Sequence, residues 1–243
     1  MAPRKQHGFT LVEIAIVLVI IGLLLGGILK GQELITSARV RNLITQIDGV
    51  KSAYYGFQDR YRALPGDFAQ ATTQVPGDSA SQNGNGNGEI EGPTSPTQNA
   101  TVNESILVWD HLSHAGFING TYTYAGATTI NSSTTPMNPW NAPMQLIYDS
   151  NYYSQATGTA ALSTNSRHNF KTGNQIPVDI LAEVDRKIDD GNPLTGSLRF
   201  SPYADTAGGA TAPTAATCIN TTVTPAVWAA GSGQANCGAA VLY

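Results

Sequence analysis

Residues 9–29 read FTLVEIAIVLVIIGLLLGGIL, an apolar run of 21 residues whose one charge is Glu13. Coiled into an α-helix, the run would extend roughly 31 Å, enough to cross the hydrocarbon core of a bilayer. The sequence therefore predicts a membrane-spanning segment at some stage of the protein's life. A secretory signal peptide is the competing reading: Arg4 and Lys5 make a short basic region, and Thr36-Ser37-Ala38 is a small-x-small cleavage site. Against it, the run is long for the apolar region of a signal peptide and holds an acid four residues past its start. A charge at the centre of a membrane helix costs about 2.5–3.5 kcal/mol on insertion scales and less toward an end, so Glu13 requires something to offset it.

A cationic chain start would do so. At Gly8-Phe9 the sequence changes abruptly from MAPRKQHG to continuous apolar residues, and cleavage there would leave a chain beginning Phe-Thr-Leu-Val-Glu. The segment Lys5-Gln6-His7-Gly8-Phe9-Thr10-Leu11-Val12-Glu13 resembles the processing site of type IV prepilins and type II secretion pseudopilins. The resemblance implies that a membrane-embedded aspartyl enzyme, the prepilin peptidase, cuts after Gly8 and methylates the new N-terminal Phe9. It also implies storage in the inner membrane with an exported head, then assembly with other pilin-like subunits into a pilus or pseudopilus. In such a filament an axial stagger brings the Phe9 amine of one chain to Glu13 of its neighbour, so that two buried charges, each costly alone, offset one another. Charge alone does not set the orientation, because Arg4 and Lys5 precede the run while Lys30, Arg39 and Arg41 follow it.

Past the run a helical rhythm continues through Leu34, Val40, Leu43, Ile44, Ile47, Val50, Tyr54, Phe57, Tyr61 and Leu64, which predicts one helix over residues 9–62, ended by Leu64-Pro65-Gly66-Asp67. Many pilins kink this helix with a proline; here Gly22, Gly26, Gly27 and Gly31 stand in the first half, either to allow close packing or local melting or simply because glycine is common in membrane helices. The expected architecture is α+β. A leader (1–8) precedes a membrane-spanning half-helix (9–29), and a second half-helix (30–64) packs on a head (65–243) with a small antiparallel sheet, loop insertions and a C-terminal disulfide loop. Residues 30–62 carry six basic and three acidic side chains (+3), and residues 63–243 carry five and thirteen (−8). That split favours stem-to-head contacts between subunits, or is no more than a solvated surface.

Composition narrows the function. Thirteen basic against seventeen acidic side chains, with no basic run beyond Arg4-Lys5, leave no footprint for a nucleic-acid partner. No nucleophile elbow, P-loop or dinucleotide fingerprint occurs, so an enzyme is not expected. The two cysteines, Cys218 and Cys237, fit neither a CxxC redox motif nor a metal knuckle, and one disulfide is the reading. The stretch Asn83-Gly-Asn85-Gly-Asn87-Gly-Glu89-Ile-Glu91 echoes the first half of a calcium loop and makes Asn83, Asn85, Asn87, Glu89 and Glu91 candidate calcium ligands. Its twelfth position is Thr94 instead of Glu, however, with Asp78 as a nearby carboxylate, and a flexible glycine-asparagine loop is the alternative. No other cofactor is expected.

Asn103 is the expected cap of a short helix ended by Gly116, and Asp110, His111 and His114 on it invite a zinc or general-base reading for which no further ligand stands at a fixed spacing. The best strand candidates are 122–124, 144–148, 198–200 and 239–243, and a helix is expected over 178–188. After it, Asp185, Asp189 and Asp190 are either a second cation site or a solvated turn. The Trp109-x-His111-Leu112-x-x-Ala115-Gly116 and Ile188-Asp-Asp-Gly-Asn-Pro193 stretches also resemble pilin-like heads. A mature chain of 243 − 8 = 235 residues is large for an abundant pseudopilin, which favours a pilin or minor pilin. The alternative function is a membrane-anchored adhesin or binding protein outside any filament.

Overall fold

The apolar run and the three-and-four rhythm beyond it form a single helix, α1 (Leu11–Tyr61). The computed structural model describes residues 11–77, 82–92, 102–124, 126, 130–156, 159–205 and 209–243. The chain divides into two compact units, Met1–Arg39 and Val40–Tyr243. In the first, none of the described residues is buried, and large apolar side chains face outward on every side of the helix, from Leu11 and Leu23 to Leu34 and Ile35. A helix apolar all round belongs in a membrane or in a larger assembly, and α1 contains a stretch long and apolar enough to cross a bilayer.

In the second unit α1 becomes one-sided. Val40, Leu43, Ile47, Val50, Tyr54 and Phe57 recur at three- and four-residue steps and are all buried, the stripe a helix shows when it covers a core. The helix stops where Arg62 takes a left-handed φ of 54° and Gly66 one of 89°. Glycine is required at 66 on two counts: the backbone is left-handed, and a Cβ would lie 2.7 Å from the Glu104 carbonyl oxygen.

The remaining elements are α2 (Ala71–Gln74), α3 (Glu104–His114), β1 (Gln145–Asp149), β2 (Tyr153–Ala156), β3 (Thr159–Leu162), β4 (Arg167–Lys171), α4 (Val178–Ile188), β5 (Leu198–Phe200), α5 (Ala215–Cys218), β6 (Ile219–Asn220), β7 (Val227–Trp228) and β8 (Ala239–Leu242). Strands β1-β4-β8-β5 make an antiparallel sheet, and β2–β3 and β6–β7 are two-stranded ribbons. The register aligns Leu146, Phe170, Val241 and Leu198 across the four strands. All four are buried, so this cross-strand row is the apolar face on which the core is built. Trp109 of α3 meets Phe170 edge-on at 6.3 Å, and Tyr54 of α1 meets Tyr243 at 5.0 Å.

The α+β architecture, helices α3 and α4 and the strands near 145–149, 198–200 and 239–242 agree with the sequence reading. Residues 122–124 do not form a strand. The Tyr124 N–H donates to the Asp110 carboxylate and the Thr123 N–H to the Ser133 carbonyl, so these donors are spent on α3 and a loop instead of a ladder. Strand β4 has the sequence RHNFK, with no alternation to announce it. It is nevertheless interior, hydrogen-bonded on one side to β1 and on the other to β8.

Candidate functional site

The residues expected to carry processing, Gly8 and Phe9, lie outside the described residues, and the structure begins two positions later. Glu13 is the acid of the first turn of α1. Its neighbours Val12 and Ile14 are 66% and 47% exposed, so a carboxylate stands among outward-facing apolar side chains on a membrane-length helix.

In the head, residues 82–92 wrap around the carboxylate of Asp67. Its Oδ1 accepts from the N–H groups of Gly86 at 2.6 Å and Asn87 at 3.0 Å, and its Oδ2 from that of Gly88 at 2.8 Å. Gly84 is needed for the approach, since a Cβ there would lie 2.3 Å from the backbone of Asp67. Four of the five candidate calcium ligands, Asn83, Asn85, Asn87 and Glu91, have a side-chain oxygen that accepts a hydrogen bond. Asn83 accepts from Thr72, Asn85 from the Asn87 N–H and Asn87 from the Glu89 N–H, while Glu91 accepts from the Asn85 amide at 2.7 Å. Thr94 and Asp78 lie outside the described residues. Glu104, buried at the start of α3, accepts from the Asn85 and Glu91 N–H groups. Burial pushes its carboxyl up to about 7, although those two N–H groups favour the charged form. The loop is therefore built on buried carboxylates cradled by backbone donors.

His111 is fully buried and uses both ring nitrogens. Nδ1 accepts from the Gly66 N–H at 2.9 Å, which leaves Nε2 to donate to the Gln82 carbonyl at 3.1 Å. It ties the turn after α1 to the loop that covers Asp67, and its ring stacks parallel to that of Phe57. Burial holds its pKa down at about 4, so it is a neutral two-way hydrogen-bonding post, and its lone pair is not offered to a metal. His114 contacts the Asp110 carboxylate at 2.6 Å and joins no group of metal-holding residues among the described ones.

The ligand atoms of Asp185, Asp189 and Asp190 do lie within 4.8 Å of one another. Each carboxylate, however, serves the turn after α4. Asp185 accepts from the Trp228 indole at 2.6 Å and the Gly191 N–H at 3.2 Å, Asp189 from the Leu198 N–H at 2.7 Å, and Asp190 from the Asn192 N–H at 2.9 Å. Burial raises the Asp185 carboxyl to about 6. Cys218 and Cys237 are bonded and buried, with Cα atoms 5.8 Å apart. They fasten the end of α5 beside the approach to β8, and residues 221–225 at the outer part of the loop are exposed.

Lys171 escaped the sequence reading. Its side chain is fully buried, and its Nζ donates to Asp149 Oδ1 at 2.9 Å and to the Asn151 carbonyl at 2.8 Å. Burial lowers its pKa to about 8, while Asp149 opposes that shift. It pins the connection between β1 and β2 over the sheet. A lysine in a polar pentapeptide carries no signal of burial, and only the position of β4 inside the sheet explains it.

Residues 3–29 match the prokaryotic N-terminal methylation motif. No curated protein and no solved structure matches the chain. The motif ends inside α1, at the close of its most apolar stretch, and covers Gly8, Phe9 and Glu13 together. The chain thus carries the N-terminal signal of type IV pilins and pseudopilins, followed by a helix long and apolar enough to cross a membrane.

Proposed function

We propose that this protein is a structural, non-enzymatic subunit of a type IV pilus-like helical filament: a pilin, minor pilin or pseudopilin. Prepilin peptidase cuts after Gly8 and methylates Phe9, the precursor waits in the inner membrane with its head in the periplasm, and assembly moves α1 from lipid into the filament core. The observation that carries this reading is the match of residues 3–29 to the methylation motif, continued by a helix in which none of residues 11–39 is buried. Such a surface is stable against lipid and equally stable against copies of itself, so the same helix serves both stages.

In the assembled state Glu13 meets the Phe9 amine of a neighbouring subunit. Removing one member of a buried ion pair leaves the other uncompensated at a cost of about 3–5 kcal/mol, more than the intact pair contributes. Glu13 therefore sets axial register and recruitment. The test is Glu13→Ala in cells that make the filament. Cleavage after Gly8 continues, and labelled filaments seen by electron microscopy become rare or absent. Normal filament yield from the variant would overturn the assignment of Glu13.

A further inference from the structure

Four Asn-Gly pairs stand in the chain, at 83–84, 85–86, 87–88 and 119–120. An asparagine followed by glycine readily loses its side-chain amide, because glycine has no Cβ to hinder attack by its own nitrogen on the asparagine Cγ. The fold treats the four pairs differently. In the loop over Asp67 every attacking nitrogen is occupied: Gly84 donates its N–H to the Phe68 carbonyl at 3.1 Å, Gly86 to the Asp67 carbonyl at 2.9 Å and to Asp67 Oδ1 at 2.6 Å, and Gly88 to Asp67 Oδ2 at 2.8 Å. The other reacting group is held too, since the side-chain oxygens of Asn83, Asn85 and Asn87 accept from the Thr72, Asn87 and Glu89 N–H groups. Attack needs a nitrogen that has given up its proton, and a carboxylate accepting that N–H disfavours the anion. The fourth pair has none of this. Asn119 and Gly120 are both exposed on the segment that follows α3, and among the described residues neither the Gly120 N–H nor the Asn119 side chain has a hydrogen-bond partner.

We propose that Asn119 is a modification site, converted spontaneously to aspartate and isoaspartate by cyclisation onto Gly120 and hydrolysis, while Asp67 keeps the three pairs of the loop intact. In the first step the Gly120 nitrogen loses its proton to solvent and bonds to Asn119 Cγ, and the side-chain nitrogen takes up a proton and leaves as ammonia. In the second, water adds to one of the two carbonyl carbons of the five-membered imide. Breaking the new bond to Cγ gives aspartate, and breaking the original peptide bond to Gly120 gives isoaspartate, which lengthens the main chain by a methylene. Nothing is oxidised or reduced, and water is the co-reactant. Either product adds a negative charge to the surface of the head. The chemistry is the same whether or not the chain enters a filament.

The experiment is incubation of the full chain in detergent micelles in mildly alkaline H₂¹⁸O, followed by peptide mapping with mass spectrometry. Chymotrypsin cuts after Phe68, Trp109, Phe117 and Tyr122, so Asn119 and the 83–88 run fall in different peptides, and the isotope marks each residue hydrolysed during the incubation. Asn119 is expected to take up label at least about tenfold faster than Asn83, Asn85 or Asn87, because the loop must open and give up hydrogen bonds before any of its nitrogens can attack. In denaturant the four pairs are expected to react at similar rates, which assigns the difference to the fold and not to local sequence. Asp67→Ala, with the near-UV circular dichroism of the head unchanged, is expected to raise the rates at Asn85 and Asn87 at least about tenfold and to leave Asn119 as it was. Equal labelling of Asn119 and the loop asparagines in the native chain overturns the proposal. So does an unlabelled Asn119, a preference for Asn119 that survives unfolding, or a folded Asp67→Ala chain whose loop reacts no faster.

Discussion

Replacing His111 by Phe keeps a ring stacked on Phe57 but removes the two hydrogen bonds through which His111 links the turn after α1 to the loop over Asp67. The Gly66 N–H and the Gln82 carbonyl, held at 2.9 and 3.1 Å in the wild type, are then left unpaired. Two such losses cost about 2–4 kcal/mol together at pH 7. The pH dependence is sharper evidence than the size. Burial lowers the folded-state pKa of His111 to about 4 from 6.5, with Asp110 opposing and His114 reinforcing that shift. The unfolded chain therefore takes up a proton first as pH falls. The stability supplied by the neutral ring is fully present above pH 6.5 and is lost as pH drops toward 4. Converted at about 1.4 kcal/mol per pKa unit, the loss reaches about 2–3 kcal/mol near pH 4.5. Glu104 and Asp185, raised to about 7 and about 6, act with the opposite sign and stabilise the fold toward low pH. The quantity to measure is thus the wild-type minus His111→Phe difference, in which those groups cancel. Denaturant unfolding of the full chain in detergent, read by near-UV circular dichroism at pH 7 and 4.5, should show the wild-type advantage shrinking by that amount. An advantage independent of pH would refute the assignment of His111 as a buried neutral post.

Other perturbations have comparably definite outcomes. Asp185→Ala leaves the Trp228 indole N–H and the Gly191 N–H without their acceptor and should cost about 2–5 kcal/mol in the same unfolding assay; a loss below 1 kcal/mol would mean that the turn after α4 does not depend on that carboxylate. Replacing Cys218 and Cys237 by Ser opens a loop of 20 residues and should lower stability by about 3 kcal/mol in the chain-entropy account. Identical unfolding midpoints for the double variant and the oxidised wild type would contradict it. Lys171→Met removes the donor to Asp149 and Asn151, and hydrogen exchange should quicken in the connection between β1 and β2 before it changes in β5. Exchange unchanged at 149–153 would show that the lysine is not the pin.

What the sequence revealed follows from how each element stabilises itself. Helix α1 was legible because its pattern is one-dimensional: an unbroken apolar run, then a stripe at three- and four-residue steps that the fold buries from Val40 onward. Helix α3 announced itself through Asn103, whose side chain does accept from the Ser105 N–H, and α4 through its apolar spacing and the Asp-Asp-Gly-Asn-Pro stop. Strand β4 was not legible, because Asn169 and Lys171 are buried by partners that arrive from distant parts of the chain, including Asp149, Asn151 and β8. The segment 122–124 misled for the converse reason: aromatic and β-branched residues favour a strand, but its donors found Asp110 and Ser133 first. The loop 82–92 reads as a run of ligands because asparagine oxygens alternate there. The same alternation serves side-chain-to-backbone turns two residues long, and the organising acid, Asp67, stands far enough upstream that spacing rules do not connect them.

The claim on which the account rests is that export and assembly begin from a freed Phe9. Intact-mass analysis of the protein extracted from membranes measures this directly. The expected product is a chain of residues 9–243 carrying one added methyl group, whose first residue on sequencing is N-methylated phenylalanine. A membrane form that still begins at Met1, or one cut near Thr36-Ser37-Ala38, would contradict it.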